Sequence, residues 1–114
     1  MSKEDEEMNE AIERLRASKQ KYDAEAVTDG NRAGRYWAEK EAEFYELARV
    51  SRISEDDGDI YGSLRKAIDP DNSLDDSELW NRLFGREEYP DDETFILAFI
   101  RGARKFFERV KDKI

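Results

Sequence analysis

The residues of this chain that could do chemistry are nearly all carboxylates. Asp57, Asp59 and Gly62 match positions 1, 3 and 6 of an EF-hand calcium loop. Position 5 would then fall on Tyr61, and position 12, where a bidentate Glu is needed, on Ile68. Asp69, Asp71, Asp75 and Asp76 fare no better, because no glycine falls at the sixth position. The expected role of these groups is to cap helices and face solvent, so no metal ligand is assigned. Carboxylate pairs three residues apart can also hold magnesium for phosphate chemistry, and Glu10–Glu13, Glu43–Glu46 and Glu88–Asp91 have that spacing. With 29 acidic residues such spacings arise by chance. Glu88–Asp91 also straddles Pro90, so the two side chains would not share a helix face. A magnesium-dependent carboxylate enzyme is kept only as an alternative.

Other reactions lack their reagents. The chain has no histidine, the commonest general base and transition-metal ligand. It has no cysteine, which excludes disulfides and thiolate zinc sites. A hydroxyl nucleophile would have no imidazole to activate it. No Gly-Lys-Ser or Gly-Lys-Thr follows the glycines, so there is no phosphate-binding loop. No catalytic or cofactor-binding residue is expected, and no cofactor.

Small residues do form a pattern. Ala26, Gly30, Gly34, Ala38 and Ala42 recur at every fourth position, beside Trp37. On a helix such a row admits a second helix to close range, as in the packing of i±4 ridges. Each interior glycine costs a helix about 1 kcal/mol relative to alanine, so the contact must offset that. The row is read as a helix crossing, within the chain or between subunits. Arg32, Arg35, Glu39 and Lys40 interrupt it and rule out a membrane role.

Charge bounds the partners. The chain of 114 residues carries a net charge of −9, and charged residues make up 43% of it. Acidic groups crowd residues 54–93, while residues 94–114 are basic. This balance disfavours nucleic acid as a partner, since phosphate binding rests on clustered Lys and Arg. It suits a basic protein partner. Arg101, Arg104, Lys105, Arg109, Lys111 and Lys113 spread around their helix and are read as a solvated face that pairs with the acidic loop. The opening Ser2-Lys3-Glu4-Asp5-Glu6-Glu7 is too acidic for a transit peptide, and no apolar leader or membrane span is expected.

The elements follow from periodicity. Met8, Ile12, Leu15, Tyr22 and Ala26 lie on one helical face. Gly30, Ala33, Gly34, Trp37, Phe44, Tyr45 and Ala48 continue it without a phase jump. One helix, or two nearly collinear ones, is predicted over residues 3–52, with Ser2 as N-cap. Thr28-Asp29-Gly30-Asn31 has turn composition, so a helical hairpin is the competing reading. Residues 54–90 read as an acidic connector. Ile60, Tyr61, Leu64 and Ile68 form a brief turn there, and Ser73-Leu74-Asp75-Asp76 has capping-box spacing before a short helix ending near Gly85. A last helix over 91–112, with Pro90 at its start, carries an apolar face wide enough to be packed on two sides. Trp37, Phe44, Leu47, Phe95, Phe99 and Phe106 are expected in the core.

The sequence thus predicts a single all-α domain in which the C-terminal helix packs on a long N-terminal one. A helix over 3–52 would be about 75 Å long, against about 33 Å for the last helix. Met8, Ile12, Leu15 and Tyr22 would remain uncovered, and a twofold-related copy is the simplest cover. The expectation is a cytoplasmic, non-enzymatic protein that acts by protein–protein contact as a homodimer. An acidic inhibitor, of an immunity type or mimicking nucleic acid, is the rival from another class.

Overall fold

In the computed structural model, which describes residues 3–85 and 93–114, helix α1 runs unbroken from Lys3 to Lys40. It passes straight through the segment of turn composition, so the hairpin reading is corrected. The polar side chains there fold back on their own helix: Thr28 Oγ1 donates to the Ala24 carbonyl and Asn31 Nδ2 to that of Val27, each at 3.0 Å. The expected Ser2 cap and the Pro90 start lie outside the described residues.

The long helix stops short of residue 52. The N–H groups of Glu41 and Ala42 both donate to the Trp37 carbonyl at 2.9 Å, and Glu43 turns extended with ψ 154°. Helix α2 then spans Phe44–Ser51 in a new phase. Glu46, Leu47 and Val50 face inward, and Phe44 is 60% exposed, leaning on Phe107 at 6.0 Å between ring centroids. The expectation that Phe44 belongs to the core was wrong, because the break at 41–43 rotates the face that follows it. Phe106 is half-buried.

Helix α3 (Ile60–Ile68) and helix α4 (Asp76–Phe84) fill the connector. The start of α4 differs from the capping-box expectation. The Asp69 carboxylate takes the backbone N–H and hydroxyl of Ser73, each at 3.0 Å, and the N–H of Leu74 at 2.9 Å. With Ser73 so engaged, Asp75 becomes the N-cap and accepts from Glu78 N at 2.8 Å. Gly85 closes α4 with φ 69°, a left-handed conformation that glycine adopts without penalty.

Helix α5 (Glu93–Val110), followed by a 3₁₀ turn at Lys111–Lys113, packs along the C-terminal part of α1. Gly30 faces Phe95, Gly34 faces Phe99, and Phe44 beyond the end of α1 meets Phe107. The two helices therefore run in the same direction, and α2 to α4 return the chain between them. Against the other side of α5 lie α2 and α3, so its wide apolar face is covered from two directions. An aromatic chain ties the layers: Trp37 to Phe99, Phe99 to Phe84, Phe84 to Trp80 and Trp80 to Tyr61, at 4.8–5.6 Å between centroids. The chain is all-α, with its long N-terminal helix packed on its C-terminal one.

This body covers only half of α1. Ala26 is its first buried residue, and residues 3–25 project as an arm beyond the start of α5. The result is an elongated molecule of 64 × 31 × 24 Å. Its radius of gyration is 17.7 Å, where a rounded domain of this length would have about 13 Å.

Candidate interaction site

The small-residue row is where α1 and α5 touch backbone to backbone. A Cβ built on Gly34 would fall within van der Waals range of the Phe99 carbonyl and collide with it, and one on Gly30 would strike the Phe95 carbonyl. The approach is reciprocal, because a Cβ on Gly102 would meet the Asn31 carbonyl. Ala26, Gly30, Gly34, Trp37 and Ala38 are all buried in this contact region of α1. Ala42, the last member of the row, lies past the end of the helix. The row is occupied by α5 of the same chain. Within it, the Trp37 indole N–H is buried without a hydrogen-bond partner among the described residues.

The same helix face looks different on the arm. Met8 is 56% exposed, Ile12 40%, Leu15 60% and Tyr22 58%. Between residues 3 and 25 the arm has no fully buried side chain. Large apolar side chains in helical register, projecting past the body, form an uncovered apolar strip.

Two grooves flank α1 on the body. One of about 700 Å³ is lined by Asn31, Arg32, Arg35, Gly102, Phe106 and Arg109 among others. Arg35 there is engaged by Glu39 at 2.7 Å. Another of about 720 Å³ lies between α1 and α4, bordered by Ala33, Tyr36, Trp37, Arg82 and Phe84.

Of the carboxylates singled out by spacing, Asp57, Asp59, Asp69, Asp75 and Asp76 are bonded within the fold. Asp59 caps α3, its Oδ1 accepting from Gly62 N at 3.0 Å, and a Cβ on Gly62 would collide with that carboxylate. Asp57 accepts from the Ser63 hydroxyl and from Asp59 N, and these two bonds, the hydroxyl first, hold its carboxyl below the usual range. The N–H groups of Leu74 and then Ser73 do the same for Asp69. Glu55 receives Arg101 Nε at 2.6 Å and Arg104 Nη1 at 3.3 Å, and the bond from Arg101 is the main reason its carboxyl is held low. Of the basic residues of the last helix, these two reach the acidic loop. Arg104 also donates from Nε to the Ser51 carbonyl at 3.1 Å, closing the C-terminus of α2. Among the described residues, no group of three or more carboxylates converges as a metal site. Glu10 and Glu13 stand exposed on the arm, and Glu88–Asp91 lies outside the described residues.

One structural arrangement escaped the sequence reading. Glu46, read only as half of a magnesium pair with Glu43, is 1% exposed. Its Oε1 accepts from Arg82 Nη2 at 2.6 Å and from the Glu43 N–H at 3.0 Å. A buried carboxylate thus fastens α2 to α4 and starts α2. No local signal announces a partner on another helix. The aromatics Phe44 and Tyr45 before Glu46 even point to the wrong face.

No helix among the described residues is long and apolar enough to cross a membrane. No protein-family model, curated protein or solved structure matches this chain.

Proposed function

We propose that this protein works by contact with other proteins, as a homodimer joined through the arm of α1, and carries out no reaction of its own. The observation that supports this is the exposed strip Met8, Ile12, Leu15 and Tyr22 on a helix that has left its own body behind. Apolar strips of this kind mark interaction sites. A cytoplasmic location belongs to the same reading. A basic protein is the further partner that the net charge of −9 suits. An inhibitor built on the acidic connector is less well supported, because Glu55, Asp57, Asp59, Asp69 and Asp75 are engaged in caps and ion pairs of the fold.

Sedimentation equilibrium at micromolar concentration tests the dimer. A mass near twice 13.4 kDa is expected, and a mass near 13.4 kDa overturns it. Leu15→Glu should return the dimer to monomer without unfolding the body.

A further inference from the structure

The strip on the arm has a stricter order than a helix face needs. Met8, Ile12, Leu15, Lys19, Tyr22 and Ala26 alternate in steps of four and three residues, the seam of a two-stranded coiled coil. Ile12 and Lys19 take the a positions, Leu15 and Tyr22 the d positions. Two features of the molecule then decide how a second helix lies on this seam.

The first is α5, which occupies the same face of α1 from Gly30 onward. A second copy lying parallel would bring its own body, with α5 on the same face, to the same level. The two α1 helices would have to splay apart around two intervening helices. A copy lying antiparallel places its body at the opposite end, and its arm fills the strip that α5 leaves bare.

The second is charge. From Glu4 to Glu13 every charged residue of the arm is acidic, whereas Arg14, Arg16, Lys19 and Lys21 follow with no acid among them. Parallel arms in register would lay acid beside acid and base beside base. Antiparallel arms lay the acidic half on the basic half, within the roughly 8 Å over which charges act at physiological salt.

We propose that two copies of this chain pair arm on arm in the antiparallel sense, with Ile12 of each opposite the partner's Leu15 and Met8 opposite the partner's Lys19. In this register the acidic halves meet the basic ones. Lys19 lays its methylene stem across Met8 and keeps its ammonium at the surface, where Asp23 of its own helix holds it at 2.6 Å. The twofold axis passes between residues 13 and 14. The two bodies stand at opposite ends of the paired arms. The proposal rests on the homodimer reading above and adds its direction and register.

The absence of native cysteine makes the test direct. Met8→Cys and Lys19→Cys, both on the exposed arm, are oxidised separately and as an equimolar mixture. Opposite a–d positions bring Cα atoms within the roughly 7 Å that a disulfide spans. Two copies of residue 8, or two of residue 19, stand roughly 16 Å apart along the axis in the antiparallel register. A cross-linked dimer should therefore form in the mixture and not in either variant alone. Cross-links within each single variant, or none in the mixture while the parent sediments as a dimer, overturn the antiparallel register. A parent that sediments at 13.4 kDa overturns the dimer itself. Salt gives an independent readout. Raising it from roughly 0.05 to 0.5 M, which shortens the screening length severalfold, should weaken an antiparallel dimer. A dimer strengthened by salt contradicts the acid-on-base pairing.

Discussion

The two halves of α1 share one helix, one apolar face and one phase, yet differ in what that face carries. Residues 26–38 offer Ala, Gly, Gly, Trp and Ala, and are buried against α5. Residues 8–22 offer Met, Ile, Leu and Tyr, and are bare. Side-chain size explains the difference. Glycine on an apolar face is worth its helix-propensity cost only where another backbone comes close, and the Phe95 and Phe99 carbonyls do so. Large side chains instead keep a neighbour at the wider spacing of knobs in holes. Periodicity shows which face is apolar, and where that face is covered residue size shows how near the cover comes.

The strongest way to break the contrast is to empty the body side. Phe99 is fully buried, next to Trp37 and edge-on to Phe84. Phe99→Ala should cost about 3–5 kcal/mol in chemical denaturation. A cost below about 1 kcal/mol would mean that α5 is not the centre of the core.

Next comes overfilling. Gly34→Leu must push α1 and α5 apart, since even a Cβ there collides with the Phe99 backbone. Overpacking costs about 1–3 kcal/mol or more, which exceeds the roughly 1 kcal/mol gained in helix propensity. The variant should unfold at a clearly lower denaturant concentration than the parent. An unchanged midpoint would remove the close crossing. Arg82→Ala should follow at about 1–3 kcal/mol, because it leaves Glu46 buried with its charge unmet. Glu46→Met combined with Arg82→Leu should recover much of that loss, as replacing both partners of a buried pair does.

How much of this was legible varied with the range of the interaction. The all-α fold and the packing of α5 on α1 could be read because both rest on periodicity and on glycines kept in phase. The end of α1 could not. Glu41-Ala42-Glu43 contains neither glycine nor proline, and Phe44, Tyr45 and Ala48 continue the apolar phase of α1 although Leu47 and Val50 are the residues that face inward. At the break the Glu46 carboxylate accepts the Glu43 N–H three residues back and starts α2 afresh, while Arg82, a residue 36 positions away, holds that carboxylate inside. The cap of α4 was misplaced for a similar reason, since Ser73 has the right spacing but a competing carboxylate, Asp69, already holds it. As for the arm, its apolar face was plain in the sequence, while its exposure became visible only once Phe95, near the start of α5, was seen to lie against Gly30.

Acid should weaken the body in a defined direction. Glu55, Asp57 and Asp69 have folded-state pKa values below their ordinary 4.5, 3.8 and 3.8. In that window the unfolded chain binds more protons than the folded one, so stability is fully present above the ordinary values and is lost as pH falls through the folded ones. Thermal melts should be level near neutrality and decline below about pH 4. Asp69→Asn, which cannot be protonated, should flatten that decline. A melting temperature that rises on acidification would contradict the bonding described for all three groups.

The smallest expected effect on the fold is the sharpest test of the contrast. Leu15 is 60% exposed on the arm, so Leu15→Glu should change the stability of the isolated monomer by no more than about 0.5 kcal/mol, the usual range for surface sites. The measurement must be made at concentrations low enough to dissociate the parent, because a dimer that binds only folded chains raises apparent stability by mass action. At higher concentrations the parent should gain stability with concentration while Leu15→Glu stays level. In the antiparallel pairing proposed above, a glutamate at this d position would meet the apolar Ile12 of the second copy and leave a charge without a partner in the seam. If Leu15→Glu instead unfolds the monomer, the arm packs against its own body in solution and the two halves of α1 do not differ as described. If both proteins are independent of concentration, the apolar strip of the arm is not covered by a second copy.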